Sequence, residues 1–355
     1  MNKRSHILIK NVYYMLSYAF TTLQQKEYEE IAVEEFENLH NLFAAILNIG
    51  ISRQIKQGLY REYLSYAEEL AVVRGKIDLN YLAKHCNARN RRLYCEYDEL
   101  SENNLLNQIL KSTILLLLCH ADVDTTYKVN LRQKILFFSN VDTVALEDVR
   151  WDRIHFQRQN GSYQLLINIC RLIAEGMLLT TERGQYELAS FLDDQHMHRL
   201  YEKFILEYYR KNFPLIKVES SQIHWVLDDN VSAMLPIMQS DIMLSQDNKI
   251  LIIDAKYYSH ATQVHYGVHT LHSGNLYQIF TYVKNKFAEF GRRSHDVSGM
   301  ILYAKTAETV LPDNVYHMSG NKISVKTLDL NQEFSGIEEQ LCAIIREHFS
   351  HASSE

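Results

Sequence analysis

Proline is nearly missing from this chain, with three in 355 residues, and glycine is scarce at twelve. A chain so poor in both has little material for long disordered linkers and is expected to be packed along most of its length. Cysteine is sparse and unpatterned. Cys86, Cys95, Cys119, Cys170 and Cys342 are odd in number and form no CxxC. That argues against a disulfide framework or a cysteine zinc site and predicts reduced, buried thiols in a cytoplasmic protein. Long apolar runs are lacking too: residues 114–119 are far too few to cross a bilayer, so a core helix is expected there. The opening MNKRSHILIKNVYYML has neither the apolar core nor the cleavage site of a secretory signal. Positive charge is not in excess: the formal net charge is −6, so no global field draws in nucleic acid, although basic clusters occur at 88–92 and at Arg292-Arg293. Finally, no GxxxxGK[ST] occurs, because Gly75-Lys76 is followed by Ile77, and this chain is not expected to bind nucleotide.

What is present divides into two textures. Residues 11–23 and 34–51 carry apolar residues at helical spacing, as do 105–120, 131–138 and 164–179. Between them, residues 58–79 (GLYREYLSYAEELAVVRGKIDL) alternate and are rich in tyrosine, which predicts a small β unit. This is a mainly helical α+β N-terminal domain, assigned to residues 1–190, with periodicity breaking over 184–194. Residues 191–355 then read as helix (198–212), strands (215–219, 223–227 and a hairpin), helix (275–290), strands (299–303, 323–328) and a closing helix (337–349). That order predicts an α/β domain with a mixed sheet flanked by helices.

The hairpin is the most informative stretch. In SDIMLSQDNKILIIDAKYY (240–258), two β-prone runs flank a polar turn centred on Asp247-Asn248. Positions equidistant from that centre oppose each other: Leu244 with Leu251, Met243 with Ile252, Ile242 with Ile253, and Asp241 with Asp254. Alternation then places Asp254, Lys256 and Asp241 on one face at the open end. Two carboxylates about 5 Å apart repel by about 3 kcal/mol at an effective dielectric near 20. Lys256 neutralises one of them. A divalent cation relieves the rest, and hard carboxylate oxygens suit Mg²⁺. A lysine beside such an ion can orient water and stabilise a phosphate transition state. The alternative is an ordinary hairpin end with a surface Asp–Lys pair and Asp241 turned to solvent.

Two further features converge on the hairpin. Glu202, in RLYEKFILEYY, lies on a helix able to swing a carboxylate toward the ion, with Glu207 as its rival. Downstream, Gln278 and Tyr282 stand four apart on one helical face in NLYQIFTYVKN. By contrast, His260, His265, His269 and His272 crowd one segment without a Cys or acidic partner inside it. A zinc site is not expected there; a mobile loop near the site is. The 23 tyrosines are expected mostly to pack between helices rather than to stack on bases.

The order of carboxylate, hairpin, D-x-K and then Q-x-x-x-Y resembles the PD-(D/E)XK nuclease superfamily. The departure is that Ser240, not proline, precedes Asp241, with Pro236 farther upstream. KNVYYMLSYAF (10–20), RGKIDL (74–79), DELSENNLLNQILKSTI (98–114) and IIDAKYY to NLYQIFTYV together resemble McrC, the nuclease subunit of the McrBC modification-dependent restriction systems. The likeness runs nearly end to end. It implies a Mg²⁺-dependent endodeoxyribonuclease, with Mn²⁺ able to substitute, whose N-terminal half docks into a hexameric ring of the AAA+ GTPase McrB. It also implies stimulation of GTP hydrolysis and cleavage of double-stranded DNA bearing modified cytosine, which McrB recognises. Carried onto this chain, the catalytic set is Asp241, Asp254 and Lys256, with Glu202, Gln278 and Tyr282 as further members and Asp241, Asp254 and Glu202 holding the metal. Residues 58–79 are the candidate ring contact. Two alternatives stay open: a GTPase-stimulating adaptor with an inactive nuclease core, and a stand-alone nuclease of the same superfamily.

Overall fold

A computed structural model describes residues 8–79, 81, 92–157, 160–181, 194–229, 231–258, 261–265, 268–290, 295–305 and 311–349. The boundary expected over 184–194, most of the basic cluster at 88–92, Arg292-Arg293 and His260 lie outside them, apart from Arg92 and Asp194. The chain forms two compact units, one of Met1–Glu37 with Arg183–Glu355 and one of Asn38–Glu182. Residues 8–37 carry α1 (Ile9–Ala19) and the short α2 (Glu29–Val33).

The 38–182 unit is mainly helical. It begins with α3 (Leu39–Gln57), whose start is set by Asn38: its side chain caps the helix by accepting from Asn41 N at 2.8 Å. The helix expected from residue 34 therefore starts five residues later. Strands β1 (Glu62–Leu70), β2 (Lys76–Ile77) and β3 (Leu93–Ser101) form a three-stranded antiparallel sheet in the order β1-β3-β2. Gly75 approaches β3 so closely that a Cβ would stand 2.3 Å from Glu96 O, and its φ is +67°. Helices α4 (Leu105–Cys119), α5 (Thr125–Ile135) and α6 (Tyr163–Thr181) complete the unit. Asn104 caps α4 and, with Asn107, donates to Tyr60 O, while Tyr163 OH donates to Asn107. The asparagines of the DELSENNLLNQ motif thus brace the base of the β unit.

The other unit is the α/β one. Helix α7 (Asp194–Asn212) leads to β4 (Lys217–Glu219), β5 (Gln222–Ile223), β6 (Met238–Gln239), β7 (Ile242–Gln246) and β8 (Lys249–Lys256). Next come β9 (Thr262–His265), β10 (Val268–Leu271), α8 (Ser273–Glu289), β11 (Asp296–Ala304), β12 (Asn314–Met318), β13 (Asn321–Leu328) and α9 (Phe334–His348). Six strands form a mixed sheet in the order β12-β13-β11-β8-β7-β4, with β11 parallel to both β8 and β13. Three buried, largely aliphatic runs, 250–253, 300–302 and 323–325, fill its middle, as expected for strands covered on both faces. Gly299 admits α8: a Cβ there would meet Val283 and Ile279 at 2.7 and 2.8 Å.

Three expectations change. The strand expected at 223–227 shrinks to Gln222–Ile223, paired with Met238–Gln239 apart from the main sheet. The histidine-rich segment, expected as a loop, contains the β9–β10 antiparallel pair. Residues 8–37, expected with the N-terminal domain of residues 1–190, belong with the α/β unit. The cause is α1, whose buried Asn11 donates to Leu330 O at 2.8 Å and Gln332 O at 2.7 Å. Tyr14 and Tyr18 of the same helix stack on Phe334, and Tyr18 also meets Phe204 and Tyr208. The KNVYYMLSYAF motif is therefore the anchor of that helix. Among the described residues the free cysteines are Cys95 and Cys170, buried, Cys342, half-buried, and Cys119, which is exposed against expectation; Cys86 lies outside them. Among the described residues no helix is long and apolar enough to cross a membrane.

Candidate active site

The β7–β8 hairpin turns at Asp247, whose φ of 54° is one that Asp tolerates better than most residues. Its register pairs Leu244 with Leu251, Met243 with Ile252 and Ile242 with Ile253. The ladder stops there, and Asp241 lies just beyond it. Ile250 and Ile252 belong to the core beneath α8, so alternation puts Asp254 and Lys256 on that same face. Asp241 returns to the hairpin through its side chain, accepting from Ala255 N at 3.0 Å.

Ser240, which precedes Asp241, fastens the chain through its own hydrogen bonds. Its N–H and its hydroxyl donate to Ser221 O at 3.0 Å each, and its oxygen accepts from Ser221 N at 3.2 Å. Ser220 Oγ donates to Ser240 O at 2.7 Å. Asp241 thus leaves a tethered residue and is aimed rather than splayed.

Lys256 Nζ donates to Asp254 Oδ1 at 2.8 Å and stands 3.8 Å from Asp241 Oδ2. The Asp254 side chain is 1% exposed, Lys256 7% and Asp241 17%. Burial, then the Asp254 charge, raises the Asp241 pKa well above the carboxylate range; Lys256 and the Ala255 N–H oppose this, and Glu202 adds to it. Burial likewise raises Asp254, against the pull of Lys256 and of the facing Asp241 carboxyl. Burial works against the Lys256 ammonium, yet Asp254 and Asp241 hold its pKa above the ordinary value. The site gathers more carboxyl groups than one lysine can hold ionised.

Glu202 joins this cluster from α7. His198, one turn earlier, accepts from Tyr257 N at its Nδ1 (3.3 Å), which leaves Nε2 to donate to Glu202 Oε1 at 2.8 Å. Glu207, the rival, pairs instead with Arg210. Gln278 and Tyr282 hydrogen-bond to each other at 3.0 Å, and among the described residues no hydrogen bond joins them to Asp241, Asp254 or Lys256. From α8, Asn275 bonds to two tyrosines: its Nδ2 donates to Tyr303 OH at 3.0 Å and its Oδ1 accepts from Tyr258 OH at 3.4 Å. Burial raises the Tyr303 pKa to about 12, with the Tyr258, Asp254 and Lys256 charges acting on it as well. The four-residue spacing of His198 and Glu202 was a readable signal for the first of these added residues. Nothing in the sequence singled out Asn275 or Tyr303, which meet only through the parallel pairing that sets Tyr303 beside Lys256.

A hard divalent cation fits these residues. Glu202, Asp241 and Asp254 offer oxygen donors alone, and among the described residues the buried Asp254 Oδ2 has no hydrogen-bond partner.

Residues 3–292 match the family described as McrBC 5-methylcytosine restriction system component. The chain belongs to this McrBC family. A relative in Escherichia coli K12, the type IV methyl-directed restriction enzyme EcoKMcrBC, is 26% identical over 346 residues, covering 96% of this chain and 98% of that protein. Among solved structures, a half-complex from a tetradecameric assembly of Thermococcus gammatolerans McrB AAA+ hexamers with bound McrC matches 93% of this chain and 75% of its own. The identity there is 17% and the TM-score 0.49. A cryo-EM structure of the McrBC complex from the same organism matches 58% of this chain and 59% of its own, at 20% identity and a TM-score of 0.43.

Proposed function

We propose that this McrBC family member is the nuclease subunit of its restriction system, a Mg²⁺-dependent endodeoxyribonuclease of the PD-(D/E)XK type. It works with an McrB-like AAA+ GTPase hexamer, stimulates GTP hydrolysis there, and cleaves double-stranded DNA containing modified cytosine. The observation that carries the reading is the buried triad of Asp241, Asp254 and Lys256 with Glu202 beside it. Buried acids in such excess over their counter-charge are costly in a merely structural role.

Asp241, Asp254 and Glu202 would hold the metal. When bound, Mg²⁺ supplies Lewis-acid stabilisation of charge on the scissile phosphate. Lys256, fixed by Asp254, adds a positive charge and hydrogen-bond donor where phosphate charge develops. His198 orients Glu202, and through the Tyr257 N–H it ties α7 to the end of β8. A chain without a phosphate-binding GxxxxGK[ST] fits a division of labour in which GTP binding and base recognition belong to the partner.

The test combines the chain with its cognate GTPase, GTP, Mg²⁺ and methylated DNA, comparing wild type with Asp254→Ala. Wild type is expected to cut and the variant to lose cleavage while still stimulating GTP hydrolysis. Equal cutting by both overturns the site; stimulation without cutting by either leaves the inactive adaptor as the function.

A further inference from the structure

The 38–182 unit holds a second cluster of metal-ligating side chains, which the nuclease reading does not use. His40 lies in the first turn of α3 and is fully buried. His120 is the residue that ends α4, and Asp122 follows in the connection to α5. The two imidazole rings stand 4.0 Å apart between centroids, tilted by 36°. One ligand atom from each of His40, His120 and Asp122 lies within 4.8 Å of the other two.

The frame around them is built from side chains on both partners. Asn38 Nδ2 donates to Asp122 O at 3.0 Å. Asn41 Nδ2 donates to Asp124 Oδ2 at 2.6 Å, and Asp124 N donates back to Asn41 Oδ1 at 3.0 Å. The start of α3 is thereby pinned to the 122–124 segment on both sides of His40.

Two imidazole nitrogens and one carboxylate oxygen suit Zn²⁺ and its first-row neighbours better than Mg²⁺, which prefers oxygen alone.

We propose that His40, His120 and Asp122 form a Zn²⁺-class metal site, separate from the carboxylate site, that clasps the start of α3 to the turn after α4. Tetrahedral bonds of about 2.0–2.2 Å would set the donor atoms roughly 3.4 Å apart. The donors must therefore close in, by at most about 1.4 Å, on binding. The side chains of His120 and Asp122, 26% and 62% exposed, have the room to do so, whereas His40 is held in the core. A fourth position is left to water on the exposed Asp122 side.

The full chain, stripped by chelator, is titrated with Zn²⁺ by calorimetry and with Co²⁺ by visible absorption, in excess Mg²⁺ to occupy the carboxylate site. Wild type is expected to take up one equivalent, to show tetrahedral Co²⁺ bands and to gain thermal stability with Zn²⁺. His120→Ala and Asp122→Asn, both outside the sealed core, are expected to bind at least about 10-fold more weakly. Equal uptake by wild type and both variants, or no uptake by wild type, overturns the site and leaves a stacked histidine pair of structural use. Imidazole ¹⁵N spectra of the wild type serve if a variant fails to fold: both His40 and His120 must shift with Zn²⁺, and unmoved resonances refute the proposal.

Discussion

Lys256 Nζ lies 2.8 Å from Asp254 Oδ1 and 3.8 Å from Asp241 Oδ2, so one ammonium is shared by two carboxylates on one face of the sheet. Lys256→Ala leaves the acids facing each other with no counter-charge. Removing one partner of a buried ionic cluster typically costs about 3 kcal/mol or more. The metal-free variant is therefore expected to unfold at lower denaturant, and DNA cleavage by the assembled system to fall by about 10²–10³-fold. Stimulated GTP hydrolysis should survive. Unchanged cleavage in a folded variant would remove Lys256 from the site.

Mg²⁺ should act on the same cluster without DNA or GTPase. An ion that binds only the folded chain adds stability by mass action, about 2.7 kcal/mol at a hundredfold excess over its dissociation constant. Wild type is expected to melt higher as Mg²⁺ or Mn²⁺ is added and to lose the gain with EDTA. Asp254→Asn, which removes the charge of the most buried acid, should show no comparable rise. A variant that responds as wild type does would place the ion elsewhere.

The hairpin shows how far sequence carries. Its register follows from symmetry about Asp247-Asn248 and a period of two, and the paired residues 242–244 and 251–253 are those that symmetry names. Proximity of the two acids follows from the same arithmetic. The destination of α1 does not: periodicity says that Tyr14 and Tyr18 face inward, not that they face Phe334 more than 300 residues later. Edge strand β12 is short and half exposed, so its pattern carries little burial signal. Sequence could not separate Glu202 from Glu207; in the fold His198 pairs with the first and Arg210 with the second.

His198 is a positioning residue whose effect should be separable from the acids. It holds Glu202 at 2.8 Å and takes the Tyr257 N–H at 3.3 Å. His198→Ala frees Glu202 and leaves the Asp241–Asp254–Lys256 contacts in place. Partners that orient a metal ligand are typically worth 10–100-fold in metal affinity or activity. Cleavage at low Mg²⁺ is expected to fall by that order and to recover as Mg²⁺ is raised, with a Gln replacement restoring part of the loss. A defect that no Mg²⁺ concentration relieves would point to a role in the chemistry itself or in folding.

Glu347 on α9 gives a pH signature far from the acids. Burial opposes its charge, but hydrogen bonds from Lys322 and Lys326 on β13 outweigh it and hold the Glu347 pKa at about 2. An unfolded glutamate titrates near 4.3. A folded-state value below the unfolded one means the unfolded chain binds more protons between them, so stability rises with pH across that window. The contribution is fully present above about pH 5 and fades as pH falls toward 2. The carboxylate is 31% exposed, so solvent screening limits the gain to the order of 1 kcal/mol. Glu347→Gln should be less stable than wild type at neutral pH by that amount, with the gap closing in acid and narrowing in high salt. Denaturant midpoints of both proteins from about pH 3 to 7 decide it: a gap that widens in acid would mean the lysines are not what holds this carboxylate charged.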